Sequence, residues 1–506
     1  MLEQPYYPIV YVRGYAGSET EVEDTVATPY MGFNLGATKL RQRWTGDIER
    51  YVFESPLIRL FKDQEYRDVY EHGAEIPLSE PVSAKSIWIY RYYEPVSRDL
   101  GTGQRPEIED YANGLHNLIE QIRRQVCGED EAAKKSFRVY LVAHSMGGLI
   151  VRCYLQNICP TNGIDPPVDK VFTYATPHGG IDLRVIGNIP GFLTRNNMDN
   201  FNEDRMREYL KLGPNEPVNS LGGRFDPDRF FCLVGTNSRD YTAAKGLSSV
   251  ATGPMGDGLV QIKNAYVKKS PRAYVHRSHS GHYGIVNSEE GYQNLQRFLF
   301  GKVRVDGFLD VQDVSLPPKV EAARKPKGDD KKGKSVRASY HFEVITRVRK
   351  AHWDLHRRLV NENSAIFLPY DDIVKRQQKQ KPIQLLSAFL KKSSSDARRE
   401  RLGFSIELGV LVPEYIVDGF LFLDDKYEGG YLYRDKINLQ VALGGGKPPS
   451  LQYGFDRKTP NRAPTKISDT EVSVLKDGQL EFRIPVVQKT RPGLTATLIL
   501  RTQHWM

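Results

Sequence analysis

The chain has 506 residues, of which 40% are hydrophobic and 26% charged, and its formal net charge is +9. This composition is typical of a folded globular protein and excludes disorder over most of the length. No stretch approaches the roughly 20 apolar residues of a membrane-spanning helix, and the start lacks the pattern of a cleaved secretory signal. We therefore expect a protein made in the cytoplasm, with export possible only by a route that needs no such signal.

The first 300 or so residues alternate apolar strands with helical patterns, which indicates a mostly parallel sheet with helices on both faces. Long connections inside such a domain are often lids or caps over an active site. Two such connections are expected, at about residues 18–83, with a helix near 45–60, and at about 183–226, and we expect at least one of them to be a lid or cap. The predicted strands are 8–13, 86–90, 137–142, 170–174 and 230–234, and the predicted helices are 108–126, 146–158 and 292–300.

The last third of the chain has a different texture. Residues 306–334 are expected to be a solvated basic linker, because residues 316–334 are rich in Lys, Pro and Gly. From 335 to 506, short stretches that alternate apolar and polar residues are separated by turn-rich segments, as in an antiparallel sandwich or barrel. The sequence thus predicts an α/β domain at 1–305, a linker, and a β-rich accessory domain.

The strongest chemical signal is Ala143-His-Ser-Met-Gly147, which joins an apolar strand directly to a helix. A sharp strand-to-helix turn presents its serine above the sheet and needs small residues two positions on either side of it. Ala143 and Gly147 meet that need, so Ser145 is the predicted nucleophile. The helix that begins after it favours the negative charge that develops during acyl transfer.

An acyl-transfer site also needs backbone N–H groups that point at the oxyanion. The segment Arg13-Gly-Tyr-Ala-Gly17 directly follows the first strand, where many lipases carry a similar glycine pair. We expect the N–H groups of Tyr15 and Met146 to form this oxyanion hole.

Together with Ala175-Thr-Pro-His-Gly-Gly180, these segments make the first 300 or so residues resemble the α/β-hydrolase lipases. They are similar also to the glycosylphosphatidylinositol inositol-deacylases. The resemblance implies an α/β-hydrolase fold and a triad in the order serine, acid, histidine. It does not cover the last third of the chain.

The same resemblance selects the other two triad members. Asp257, in Gly256-Asp-Gly-Leu-Val260, matches the acid of bacterial lipases, with Asp240 as the alternative. The base is expected in the loop before the final helix, where His282 is the first choice and His279 the second.

The implied activity is hydrolysis of carboxylic esters, in the manner of a lipase or phospholipase, without a metal or organic cofactor. Three alternatives stay open: an acyltransferase with the same triad, a secreted phospholipase effector, or an inert hydrolase fold with a binding module at 335–506. The substrate would be a lipid or another ester. No nucleic-acid motif accompanies the positive charge.

The positive charge also raises the possibility of peripheral contact with an anionic membrane. Residues 383–390 have apolar residues at helical spacing and are followed by Lys391 and Lys392. This stretch is either a helix lying on a membrane surface or a core helix followed by a solvated loop.

Overall fold

The computed structural model contains two compact units, Met1–Leu299 and Phe300–Met506. None of the helices it describes is both long and apolar enough to cross a membrane. The residues it describes are 6–16, 19–42, 44–71, 74–98, 100–101, 106–181, 198–241, 255–325, 333–349, 351–391, 401–418, 424–442, 450–456, 465–466, 472–475 and 478–505.

The first unit contains a seven-stranded sheet in which every neighbouring pair of strands is parallel. Its central strands are apolar and almost entirely buried, because helices cover the faces of such a sheet. The predicted parallel sheet is therefore confirmed. Across the sheet the strands lie in the order Arg272–Val275, Phe230–Gly235, Val168–Tyr174, Val139–His144, Ile9–Val12, Ser86–Ile89 and Arg67–Asp68.

Two of these strands were not expected from the sequence. Arg67–Asp68 lies inside the first long connection, expected at residues 18–83, yet it forms the edge of the sheet beside Ser86–Ile89. Arg272–Val275 forms the other edge and pairs with Phe230–Gly235. Arg67–Asp68 has only two residues, and Arg272–Val275 begins with an arginine, so neither shows a continuous apolar run.

The helices of the first unit mostly agree with the prediction. The predicted helix at 146–158 contains a π-helical turn, Tyr154–Ile158, between Met146–Cys153 and Cys159–Thr161. The other α-helices of the described part are Glu19–Val26, Pro56–Gln64, Ile108–Cys127, Glu131–Ser136, Glu203–Tyr209 and Glu289–Phe300.

The first long connection, residues 18–83, differs from its prediction. A helix was expected near 45–60, but residues Ala37–Gln42 and Ile48–Phe53 form an antiparallel β-hairpin. The helix begins only at Pro56, where the Ser55 hydroxyl caps the Ile58 N–H at 3.0 Å. Residues 48–53, Ile-Glu-Arg-Tyr-Val-Phe, are rich in the β-branched and aromatic side chains that favour a strand over a helix. A second, smaller hairpin joins Tyr70–Glu71 to Ala74–Glu75.

The second unit is antiparallel throughout the described residues, which confirms the β-rich prediction. Buried side chains from both of its sheets, such as Leu309, Leu408 and Phe482, share one hydrophobic core. One sheet has the order Ile383–Leu390, Val303–Ser315, Gly493–His504, Leu480–Gln488 and Val472–Val474. The other has the order His356–Arg358, Val336–Val348, Arg401–Val417, Asp425–Ala442, Ser450–Phe455 and Thr465–Lys466, with Ile366–Pro369 also paired to Val336–Val348.

Two expectations for this part of the chain are corrected. Residues 306–315 are not a linker, since Val303–Ser315 is a strand that pairs on both sides, and Pro318–Arg324 is a helix. Ile383–Leu390 is a buried strand and neither a membrane-surface helix nor a core helix. Residues 326–332, the rest of the expected linker core, lie outside the described part. A second helix of this unit is Tyr370–Lys379.

Candidate active site

Ser145 stands at the carboxyl end of a central strand, between Val139–His144 and the helix Met146–Cys153. Its backbone has φ 52° and ψ −126°, a conformation that side-chain-bearing residues rarely adopt. A side chain at Gly147 would lie 2.4 Å from the Val12 carbonyl oxygen, so the turn requires glycine there. This is the backbone geometry that exposes a serine hydroxyl above a parallel sheet.

A chain of hydrogen bonds joins Ser145 to a histidine and an aspartate. The Oγ of Ser145 lies 2.9 Å from Nε2 of His279, and Nδ1 of His279 lies 3.0 Å from Oδ2 of Asp257. All three side chains are buried. The structure thus brings together two predicted residues, Ser145 and Asp257, with the histidine that was the second choice.

His282, the first choice for the base, is exposed on the turn that follows His279. The Ser278 N–H donates to the Tyr283 carbonyl at 3.1 Å, which closes this turn and directs His279 inward. The prediction of His282 is therefore corrected to His279 as the histidine beside Ser145. The signal that sequence reasoning missed is the strand Arg272–Val275, since His279 lies in the loop that leaves its carboxyl end.

The Asp257 carboxylate is held from both sides. Its Oδ1 accepts hydrogen bonds from the N–H groups of Leu259 at 3.0 Å and Val260 at 2.8 Å, while Oδ2 faces His279. Its backbone carbonyl accepts from the His279 N–H at 3.0 Å. These contacts fix the carboxylate in the orientation that a neutral imidazole with a proton on Nδ1 requires.

Asp240, the alternative acid, has other partners. It forms an ion pair with Arg41 at 2.8 Å and accepts from the Asn237 side chain at 2.6 Å. Its neighbour Tyr241 packs edge-on against the His279 ring, with centroids 5.7 Å apart. The Asp240 segment therefore lies beside the site without supplying the carboxylate that contacts the histidine.

The loop after the first strand passes directly beside Ser145. A side chain at Gly14 would lie 2.7 Å from Cβ of Ser145, so only glycine permits this approach. Tyr15, one of the two expected oxyanion-hole residues, follows Gly14. Met146, the other, is the first residue of the helix after Ser145, where backbone N–H groups have no acceptor within the helix. The role of these two N–H groups stays a prediction.

Two buried tyrosines that the sequence analysis did not single out hold this loop. The Tyr93 hydroxyl accepts from the Ala16 N–H at 2.7 Å and lies 3.1 Å from the Gly14 carbonyl, to which it donates. The Tyr92 hydroxyl donates to the Arg13 carbonyl at 2.8 Å. Both follow the strand Ser86–Ile89, which is adjacent to Ile9–Val12 in the sheet. Their position thus depends on a strand pairing that the local sequence does not reveal.

His144, next to the serine in sequence, supports the site from behind. Its Nε2 donates to the His279 carbonyl at 2.9 Å, and the two rings lie 5.0 Å apart. Burial, together with the nearby His279, holds the pKa of His144 well below its usual value of 6.5. His144 is therefore a neutral donor that positions the backbone of His279.

The Thr-Pro-His segment buttresses the same turn. The Thr176 hydroxyl donates to the Ser145 carbonyl at 2.9 Å. The fully buried Arg152 guanidinium donates to three carbonyls, among them that of His178 at 2.9 Å and that of Ser220 at 2.6 Å. Burial lowers the pKa of Arg152 to about 10, which still leaves it charged at neutral pH. The helix after Ser145 is thereby tied to two neighbouring loops.

The described residues contain no cluster of three or more His, Cys, Asp or Glu side chains arranged to hold a metal ion. The buried groups at Ser145 are a hydroxyl, an imidazole and a carboxylate, each joined to the next by a hydrogen bond. Such a chain is suited to proton transfer away from the hydroxyl.

The family model of the PGAP1-like alpha/beta domain matches residues 100–211, which include Ser145 and the Thr-Pro-His segment. No curated protein sequence matches the chain.

Several solved structures are similar to this chain at low identity. The mature lipase BlEst2 of Bacillus licheniformis is 15% identical, with a TM-score of 0.32, over 59% of this chain and 93% of its own. Phospholipase PlaB from Legionella pneumophila is 14% identical, with a TM-score of 0.34, over 80% of this chain and 85% of its own. The metagenomic carboxyl esterase MGS0156 is 15% identical, with a TM-score of 0.31, over 54% and 64%. All three identities are 15% or less and all three TM-scores are below 0.35.

The fold and the family match agree with the resemblance found in the sequence. The chain is similar to the PGAP1-like alpha/beta domain over residues 100–211, and its first unit has the α/β-hydrolase fold.

Proposed function

We propose that the first unit is a serine hydrolase that cleaves carboxylic esters through an acyl-enzyme on Ser145. The observation that carries this proposal is the hydrogen-bond chain from Ser145 through His279 to Asp257, with distances of 2.9 Å and 3.0 Å. These three residues are 4%, 3% and 1% exposed, so the hydrogen-bonded groups lie largely out of bulk water. Charge–dipole interactions are stronger in such surroundings than in water.

The first half of the reaction forms the acyl-enzyme. As the Ser145 Oγ bonds to the ester carbonyl carbon, its proton passes to Nε2 of His279. Asp257 stabilises the resulting imidazolium through the Nδ1 hydrogen bond without taking the proton itself. The carbonyl oxygen becomes an oxyanion, for which we assign the N–H groups of Tyr15 and Met146 as donors. The bond to the alcohol oxygen then breaks, and His279 returns the proton to the leaving alcohol.

The second half releases the acid. A water molecule gives a proton to His279 as its oxygen bonds to the acyl carbon, and the ester bond to Ser145 breaks as Oγ recovers the proton. Neither half requires a metal or an organic cofactor.

The surroundings of Ser145 support an ester with an apolar acyl group, as in a lipase or phospholipase. Tyr241 packs against His279, and the Tyr15 ring lies edge-on to Phe201 at 6.3 Å. Tyr15 follows Gly14, which lies against Ser145, and its partly exposed ring offers apolar surface to an acyl chain.

Covalent labelling with a fluorophosphonate tests the nucleophile. We expect the wild-type protein to be labelled, Ser145→Ala to lose all labelling, and Ser270→Ala to keep it. Ser270 is a matched control, since it is equally buried in the same unit and its hydroxyl has no hydrogen-bond partner. Labelling of the Ser145→Ala variant would refute Ser145 as the nucleophile.

A panel of substrates then tests the class of ester. Release of free acid would be titrated with p-nitrophenyl esters of short and long acyl chains and with phosphatidylglycerol. The proposal predicts hydrolysis that depends on Ser145 and favours longer acyl chains. A labelled enzyme that transfers the acyl group only to an added alcohol, with no free acid, would contradict hydrolysis.

A further inference from the structure

The hairpin formed by Ala37–Gln42 and Ile48–Phe53 exposes an apolar outer face. Leu40 is 64% exposed, Ile48 58% and Val52 65%. Leu40 pairs with Arg50, which places Ile48 and Val52 at its two diagonal positions on the same face. The three side chains are therefore neighbours, and they form one patch on the surface of the first unit.

Trp44 lies in the turn that joins the two strands and is 97% exposed. Exposing a tryptophan and three aliphatic side chains in one hairpin is unfavourable in water, and neighbouring exposed apolar side chains of this kind mark interaction sites. The patch of Leu40, Ile48 and Val52 together with Trp44 is called the hairpin surface below.

The inner face of the same hairpin is attached to the loops that surround His279. The Tyr51 ring packs edge-on against Tyr283 at 4.8 Å, and the Arg41 guanidinium lies 4.5 Å from the Tyr283 centroid. Arg41 also pairs with Asp240, next to the tyrosine that packs on His279. The hairpin surface is thus fixed to the loops of the candidate active site.

The charge of the hairpin indicates which kind of surface it meets. Residues 37–53 carry four basic side chains and two acidic ones, in a chain with a net charge of +9. Exposed tryptophan and aliphatic side chains accompanied by basic residues are suited to the boundary between lipid headgroups and acyl chains.

We propose that the hairpin surface docks the protein on an anionic lipid bilayer and so presents the Ser145 site to lipid esters. The purpose of this docking rests on the proposed function, but binding to the bilayer does not itself require catalysis. Trp44 and the aliphatic patch enter the headgroup region, while the net positive charge of residues 37–53 attracts the anionic surface. Docking then holds the loops of the active site next to the lipid.

Vesicle binding by the full chain tests this docking, and the background variant Ser145→Ala keeps the lipid intact. The probe is vesicles of phosphatidylcholine with phosphatidylglycerol, and the readouts are co-sedimentation and tryptophan emission. Trp88 and Trp505 are buried and Trp353 is partly buried, so Trp44 should dominate an emission shift to shorter wavelength. The test variants are Trp44→Ser and the double variant Leu40→Ser with Ile48→Ser.

Matched controls replace equally exposed aliphatic residues elsewhere. Leu78→Ser and Val474→Ser alter side chains that are 69% and 72% exposed outside the hairpin. We expect each test variant to weaken binding at least tenfold and each control to change it less than twofold. Unchanged thermal unfolding of all the variants will show that they are folded.

Three outcomes would overturn the inference: no vesicle binding by the protein, equal binding by test and control variants, or emission that does not shift on binding. The first would also be the outcome if the hairpin surface meets a protein. Vesicle binding in a protein without esterase activity would instead refute only the proposed function, so the two failures are distinguishable.

Discussion

Both units of the molecule contain buried carboxylates, and Asp257 of the first unit and Glu343 of the second are used differently. Asp257, in the parallel unit, accepts two backbone N–H bonds on one oxygen and contacts His279 with the other. Glu343, in the antiparallel unit, accepts from the Val360 N–H at 2.9 Å and from the Tyr431 hydroxyl at 2.8 Å. The contacts of Asp257 continue through His279 to Ser145, whereas those of Glu343 end at Tyr431, which is 43% exposed.

The difference follows from how the two kinds of sheet place their loops. In a parallel sheet the carboxyl ends of all strands meet at one edge, so loops far apart in sequence converge there. Ser145, Asp257 and His279 each follow a strand of the first unit at this edge. In the antiparallel unit, neighbouring strands end at opposite edges, and Glu343 lies within a strand, where its partners stabilise the sheet. Burial of a carboxylate therefore indicates chemistry only where its contacts lead to a reactive group.

The largest expected effect separates two histidines of the same loop. His279→Ala removes the acceptor of the Ser145 proton, and loss of a triad base lowers kcat by on the order of 10⁶-fold. His282→Ala is the matched control, because that side chain is exposed three residues away, and we expect its activity to stay within about twofold of wild type. Hydrolysis of a soluble p-nitrophenyl ester measures both.

The opposite result, with His282→Ala inactive and His279→Ala active, would restore His282 as the base. It would also show that the loop rearranges on substrate binding, since the Ser145–His279 contact of 2.9 Å would then not be the productive one.

The architecture of the molecule was largely predictable from its sequence, because continuous apolar strands and alternating ones signal parallel and antiparallel sheets directly. Ser145 was predictable for a related reason, since its strand, turn and helix are contiguous. The pairing of His279 with Ser145 was not, because it depends on the short edge strand Arg272–Val275 and on the turn that leaves His282 exposed. Nor were the tyrosines that hold Gly14, since they reach it through the pairing of two separate strands.

Replacing Asp257 and Glu343 in turn by their amides sharpens the comparison between the units. Asp257→Asn keeps the shape of the side chain but favours the wrong tautomer of His279, and we expect kcat to fall by on the order of 10⁴-fold. Glu343→Gln leaves the site untouched, and because its amide can still accept one hydrogen bond we expect a stability loss of about 1 kcal/mol. Ester hydrolysis and urea unfolding of both variants measure these effects. A large activity loss in Glu343→Gln would show that the second unit takes part in catalysis.

The response of the first unit to acid is expected to be smaller than either loss of activity. Burial holds the pKa values of His144 and His178 well below 6.5 in the folded protein, so below about pH 6.5 the unfolded chain binds protons that the folded chain does not. Stability is therefore lost as the pH falls, by at most about 1.4 kcal/mol per pH unit for each group.

His144→Gln tests this, because glutamine retains an N–H donor for the His279 carbonyl but does not titrate. Between pH 7.5 and 5.0 the variant should lose less stability than the wild type, measured by urea unfolding of the first unit. His341→Gln is the comparison in the second unit, where burial also lowers the pKa of the histidine. We expect the first unit of His341→Gln to lose as much stability between pH 7.5 and 5.0 as the first unit of the wild type. An equal acid response in His144→Gln and wild type would mean that His144 gains a proton without unfolding, and that its contact with His279 breaks first.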